Sequence, residues 1–266
     1  MVKKPAARKD RPLPVFPHPS AELLSRGLSM LGIAEDDSSD PRLGTIRGSN
    51  TLIPLIQSYI RELELFNSVF DLVGAAPGTE EGRCDLVVRH ILDSLAPWKY
   101  IADLLRRPLE AADASAPPNL ADVGSGAGFP GIPLAMLFPD VRVSLVERMS
   151  KRCAFLENCR AVLGLKNVEV LNAEVENAPA AAYQVVAFRA FRPLERPMLR
   201  SLLALVRAGG CLAAWKARKE KIREEMSQIE KDAEGWSVHP VAAPFLEHEE
   251  RNLVVIPSRP SLNPLN

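Results

Sequence analysis

The chain has 266 residues, 47% hydrophobic and 25% charged, enough to bury one sizeable core and a smaller second one; this excludes a mini-protein or a disordered tail. Lys plus Arg total 33 and Asp plus Glu total 33, so the net charge is zero, which excludes a surface coated uniformly in positive charge; any RNA site must be a local patch. The four cysteines, Cys84, Cys153, Cys159 and Cys211, form no C-x-x-C pair and have no His at metal-ligand spacing, which points to neither a disulfide framework nor a metal and fits a reducing cytoplasm.

Residues 1–20 are basic, hold five of the prolines and lack an apolar h-region, so they read as a flexible tail and not as a secretory signal. No apolar run reaches the ~18 residues of a membrane helix, and no membrane partner is expected. Residues 21–110 read as an α-helical region: a short helix over Ala21 to Met30, a polar loop from Asp36 to Gly48, and a helix from Leu52 to Phe70. In that helix Leu52, Leu55, Ile56, Tyr59, Ile60, Leu63, Phe66 and Phe70 recur at three- and four-residue spacing and mark one buried face. A further helix spans about Asp85 to Leu105, broken near its middle by Pro97. The Ala- and Pro-rich run Glu110 to Pro118 contains a linker, residues 111–118.

Over residues 119–257 short apolar runs alternate with amphipathic helices, the pattern of a largely parallel sheet covered on both faces. Seven strands are predicted, at Leu120 to Val123, Val141 to Glu147, Val168 to Asn172, Tyr183 to Phe188, Cys211 to Trp215, Trp236 to Pro240 and Asn252 to Ile256. Helices are predicted at Ile132 to Phe138, Lys151 to Leu163, Leu194 to Val206 and Lys216 to Ala233, the third stopped by Gly209 and Gly210. Residues 258–266 read as a tail. The fold class is α/β, doubly wound, with an α-helical N-terminal extension.

The segment Leu120-Ala-Asp-Val-Gly-Ser-Gly-Ala-Gly-Phe-Pro-Gly131 takes a strand through a glycine turn into a helix, where open α/β sheets bind ligands. Glycines let the backbone approach a ligand, and loop N–H groups with the helix N-terminus attract a negative group. Glu147 ends the next strand, where a carboxylate accepts hydrogen bonds from ribose hydroxyls. Two adenosine cofactors compete: Gly126-x-Gly128-x-x-Gly131 satisfies the dinucleotide fingerprint, while Asp122-x-Gly124-x-Gly126-x-Gly128 reads as an S-adenosylmethionine loop. Pro130 and Pro133 confine Gly131 to the first helical turn or the loop, which weighs against NAD. Asp122 would add negative charge near a pyrophosphate but suits a ligand carrying an ammonium and a sulfonium.

The block Asp122-Val-Gly-Ser-Gly-Ala-Gly-Phe-Pro-Gly-Ile-Pro-Leu134, together with Val88-Arg-His-Ile-Leu-Asp-Ser94, Lys151-Arg152 before Phe155-Leu156, Arg189-Ala190-Phe191 and Glu250-Arg-Asn-Leu-Val-Val-Ile256, resembles the glucose-inhibited division protein B family. The likeness runs from about Leu52 to Ile256. It departs from the family at Phe66-Asn67 and Asp71-Leu72-Val73, where Trp-Asn and Asn-Leu-Thr are usual, and in an insertion from Gly74 to Gly82. The resemblance implies a Rossmann-like methyltransferase sheet and an S-adenosylmethionine-dependent 16S ribosomal RNA guanine-N7 methyltransferase acting on that RNA or the small ribosomal subunit. It implies Gly124 and Phe129 on the cofactor loop beside Asp122 and Gly126, Glu147 on the ribose, Val175 and Glu176 beside the adenine, and Arg189 at the end of the fourth strand.

Guanine N7 already offers a lone pair, so no general base is needed, and catalysis by positioning and charge stabilisation is expected. Arg189 is the candidate that organises cofactor and target, with Arg89, His90 and Asp93 lining the target-base side. Arg192, Arg196 and Arg200 form an acid-poor basic stretch suited to RNA phosphates. Phe129, Phe191 and Trp215 are candidates to stack a base, Phe129 foremost. An NAD-dependent oxidoreductase and a noncatalytic RNA-binding module remain as alternatives.

Overall fold

The computed structural model describes residue 16 and residues 18–70, 72–74, 78–107, 117–189 and 194–258. The predicted tails and the linker fall largely outside them.

Helix α1 (Ser20–Met30) buries Leu23, Leu24 and Leu28 along one face. The stretch expected to be a loop, Asp36 to Gly48, instead contains a hairpin, β1 (Ser38–Asp40) and β2 (Gly44–Ile46). Its turn is built by Asp40, whose Oδ1 accepts the N–H groups of Arg42 and Leu43 at 2.9 Å each, while Arg106 holds Oδ2 at 2.8 Å. Helix α2 (Ser49–Phe70) follows, and Leu52, Ile56, Tyr59 and Leu63 of its predicted apolar face are fully buried. The next helix begins before the expected Asp85. Thr79 caps α3 (Glu80–Asp85) by accepting the Gly82 N–H at 3.0 Å, and Glu80 and Glu81 sit at the positive end of its dipole. The chain then widens into a π-helical stretch (Leu86–Leu92) and tightens into α4 (Asp93–Leu95). A break at Pro97, as the sequence implies, precedes α5 (Trp98–Arg106).

The main sheet comprises β3 (Asn119–Val123), β4 (Arg142–Glu147), β5 (Val168–Asn172), β6 (Tyr183–Arg189), β7 (Val206–Lys216), β8 (Ser237–Pro240) and β9 (Asn252–Pro257). They lie in the order β5-β4-β3-β6-β7-β9-β8, parallel from β5 to β7, with β9 antiparallel to both neighbours. Its helices are α6 (Gly131–Leu137), α7 (Ser150–Val162), α8 (Arg196–Leu205) and α9 (Lys219–Ile229). The sheet grows from β3 to one side, then returns to place β6 against the other edge of β3. That reversal opens a crevice at the carboxyl ends of β3 and β6.

Alternate residues of β6 enter different cores. Val185 and Ala187 pack with α2, the π-helical stretch, α5, α6 and α7, whereas Val186 and Phe188 pack with α8 and α9. The N-terminal helices therefore bury their apolar faces against the sheet itself.

One predicted boundary is corrected by packing. Helix α8 ends at Leu205 and β7 starts in the next residue, so Gly209 and Gly210 lie inside the strand and do not cap the helix. The pairing of β6 with β7 shifts register between Tyr183 and Val185, and the glycines occupy the residues that bulge out. A Cβ on Gly210 would stand 2.5 Å from the Gln184 carbonyl oxygen, so only glycine fits that approach. Similarly, Lys216 closes β7 and does not open a helix; α9 begins at Lys219. Among the described residues no helix is long and apolar enough to cross a membrane.

Candidate active site

At the crevice β3 runs into the glycine loop. Gly124 holds φ +72°, a left-handed conformation that side chains resist, and its N–H and that of Ser125 bond the Val146 carbonyl at 2.8 and 3.3 Å. Glu147, at the end of β4, accepts the Gly126 N–H at 2.9 Å through Oε2 and the Met149 N–H at 2.8 Å through Oε1, with the Arg152 guanidinium 3.9 Å away. Gly128 and Phe129 donate back to the Ser125 carbonyl at 2.6 and 3.2 Å. The loop donors expected to attract an anion are thus mostly engaged within the protein.

Asp122 completes that closure. Its carboxyl is fully buried and takes the Gly131 N–H at 3.0 Å, occupying the start of α6. Burial lifts its pKa to about 7, against the opposing pull of that N–H and of Ser125. By charge Asp122 suits a ligand carrying an ammonium; in the fold its carboxyl is turned inward onto the Gly131 N–H. It points with Leu120 toward the α6 side of the sheet, while Ala121 and Val123 point to the other core. A pyrophosphate would find this helix start already filled by a carboxyl, which removes the physical basis of the dinucleotide reading.

What remains beside the loop is a cleft of about 520 Å³, within the range of small-molecule sites. Gly124, Glu147, Arg152, Val175, Glu176 and Arg189 are in its wall, with Met198 of α8 as an apolar flank. Val175 is buried, whereas Glu176 is exposed and accepts from the Ser201 hydroxyl at 3.2 Å. The wall fits an adenosine: a carboxylate at a strand end, apolar side chains after β5, and arginines interleaved with Glu147, Glu174 and Glu176.

Arg189 ends β6 and is only 13% exposed. Its Nη1 donates to Asp93 Oδ2 at 2.9 Å and to the carbonyls of Arg89 and His90 at 3.2 and 3.3 Å; Nη2 meets His90 Nδ1 at 2.9 Å. Burial pulls the guanidinium pKa down while Asp93 pushes it back up. Beneath it lies Phe129, whose ring centre is 5.3 Å from the guanidinium carbon, 5.1 Å from the His90 ring and 5.5 Å from the Tyr59 ring. With these three neighbours and 7% exposure, Phe129 offers no open platform for stacking a base.

A second cleft, about 570 Å³, opens on the other side of Arg189. Arg89, His90, Asp93, Trp215, Glu249 and Arg251 are in its wall. Asp93 stands between two guanidinium groups, since Arg251 Nε also reaches it at 2.8 Å. Glu249 joins Arg251 at 3.0 Å to Arg89 at 2.7 Å, and Arg89 contacts Asp85 at 3.3 Å. The charged residues that sequence reasoning missed are therefore Arg251, Glu249 and Asp85, and of these only Arg251 carried a signal, as a cation inside one of the family-like motifs. Two buried polar atoms of this cleft, Trp215 Nε1 and Asn252 Oδ1, have no hydrogen-bond partner.

Of the three-arginine stretch, Arg196 and Arg200 line neither cleft. Arg192 and Phe191 lie outside the described residues. Arg196 and Arg200, on α8, are 54% and 70% exposed and share Asp232 at 3.5 and 3.3 Å, so the stretch is less free of acid than its sequence reads. Among the described residues no group of three or more His, Cys, Asp and Glu is placed to hold a metal ion.

The sequence profile described as rRNA small subunit methyltransferase G (GidB) matches residues 52–254. A ribosomal RNA small subunit methyltransferase G from Treponema denticola is 39% identical, covering 89% of this chain and 96% of its own length. Its namesake from Treponema pallidum is 37% identical over 79% of this chain and 87% of its own. Among solved structures, a SAM dependent methyltransferase from Aquifex aeolicus aligns at 21% identity over 63% of this chain and 92% of its own, with a TM-score of 0.47.

Proposed function

This chain belongs to the rRNA small subunit methyltransferase G (GidB) family, and from that premise we propose that it moves a methyl group from S-adenosylmethionine to N7 of a guanine in 16S ribosomal RNA of the small subunit. The observation that carries the reading is the place of Arg189, which walls both clefts, so that a donor in one and a base in the other meet across a single guanidinium.

In this reading the first cleft holds the donor: Gly124 and Gly126 on the loop, Glu147 at the ribose, Val175 and Glu176 at the adenine, with Asp122 and Phe129 fixing the loop from beneath. When bound, S-adenosylmethionine supplies an electrophilic methyl on a sulfonium. Arg189 stands beside that cation without net repulsion because Asp93 pairs with it. Arg89, His90 and Asp93 present the target base from the helical side, and Asp93 and Glu249 offset the guanidinium charge that would oppose positive charge arriving on the purine. N7 carries its own lone pair, so these residues need only hold it in line, which contributes roughly 7 to 11 kcal/mol at best. Arg192, Arg196 and Arg200 contact RNA phosphates, the last two from α8.

The test is incubation of the protein with labelled S-adenosylmethionine and small ribosomal subunits from cells lacking it, followed by nucleoside analysis. Label in 7-methylguanosine is expected. RNA binding without label in that nucleoside overturns the reading in favour of a noncatalytic module.

A further inference from the structure

The helical region meets the cofactor loop through the His90 and Tyr59 rings on Phe129 and through a hydrogen bond from a buried phenol. Tyr59, on α2, is fully buried, and its hydroxyl donates to the carbonyl of Ala127 in the middle of the glycine loop. Its ring lies against Phe129 of the same loop. The other loop hydrogen bonds described above start and end within the loop, β3, β4 or the turn after β4, so this one is the tie from outside the sheet. Sequence spacing places Tyr59 on an apolar face, where Phe or Leu would bury as much surface; only the hydroxyl distinguishes it.

We propose that Tyr59 is a positioning residue for the methyl donor, its hydroxyl holding the glycine loop in the conformation that receives the donor. This rests on the reading of the first cleft given above. The physical reason is the Ala127 carbonyl, which is buried with its residue only 6% exposed. Without a donor, a buried carbonyl bears a desolvation penalty that it escapes only when the loop lifts toward water. The loop then spends part of its time open, and the apparent donor affinity falls by the fraction that stays closed. Saturating donor selects the closed loop again, so the chemical step is unaffected.

Tyr59→Phe keeps the ring against Phe129 and removes only the hydroxyl. The matched control is Tyr183→Phe: Tyr183 is also buried, and it stands at the start of β6, the end of the strand away from the clefts. Binding of S-adenosylhomocysteine is measured by calorimetry, with kcat, KM and Tm alongside. For Tyr59→Phe the Kd and the KM for the donor rise about tenfold, while kcat at saturating donor and KM for RNA stay within about twofold. Tyr183→Phe lowers Tm comparably and leaves the Kd unchanged. An unchanged Kd in Tyr59→Phe, or an equal rise in both variants, overturns the proposal. A wild-type protein that binds no S-adenosylhomocysteine overturns the reading of the cleft itself, and the proposal with it.

Discussion

The two clefts that share Arg189 are made of different materials. The first is formed by the ends of consecutive parallel strands: Gly124 after β3, Glu147 closing β4, Val175 after β5. Its wall carries charged side chains of both signs, Glu147, Glu174 and Glu176 with Arg148, Arg152 and Arg189, around a loop whose donors are mostly committed to the protein's own carbonyls and to Glu147. The second is formed by side chains from segments far apart in the chain, the π-helical stretch with α4, the end of β7 and the entry to β9, and it is crowded with mutually paired charges. A site built from backbone geometry suits a ligand that is always the same small molecule. A site built from ion pairs that can exchange partners suits a polyanion whose phosphates compete for the arginines.

If the division is real, each cleft fails in its own way. The largest effect is expected from Gly124→Val, which puts a β-branched side chain at φ +72°. Affinity for S-adenosylmethionine falls about 100-fold or more with the fold retained by circular dichroism, and calorimetry showing unchanged affinity removes the loop from the site. The counterpart is Arg251→Gln, which leaves Asp93 and Glu249 underpaired at the second cleft. There kcat/KM for ribosomal RNA drops about 10- to 100-fold, whereas donor affinity stays within about threefold; a parallel loss of both merges the two clefts into one. The smallest effect belongs to the exposed arginines. Neutralising Arg192, Arg196 and Arg200 weakens RNA binding a few-fold and flattens its salt dependence, because Asp232 already offsets part of their charge. An unchanged salt slope takes them out of the RNA contact.

The same division explains how far the sequence could be read. The glycine loop, Glu147 and Arg189 stand at the ends of buried strands, and strand ends follow from period and turn residues alone. The hairpin in Asp36 to Gly48 was hidden because its strands are three residues each and are fixed by contacts with Arg106 and Asp140, distant in sequence. Asp122 was read by its charge alone, while parity along β3 turns it opposite to Ala121 and Val123. Tyr59 gave no signal because a helix period reports burial and not what a hydroxyl meets. Glu249 and Asp85 gave none because surface-like charges become a site only when the chain folds them onto Arg89.

The account stands on the first cleft receiving the methyl donor, and a crystal structure of the protein grown with S-adenosylhomocysteine addresses it directly. The account predicts the ribose hydroxyls on Glu147, the adenine beside Val175 and the thioether facing Arg189. Density for the ligand anywhere else, with this cleft filled by solvent, contradicts it.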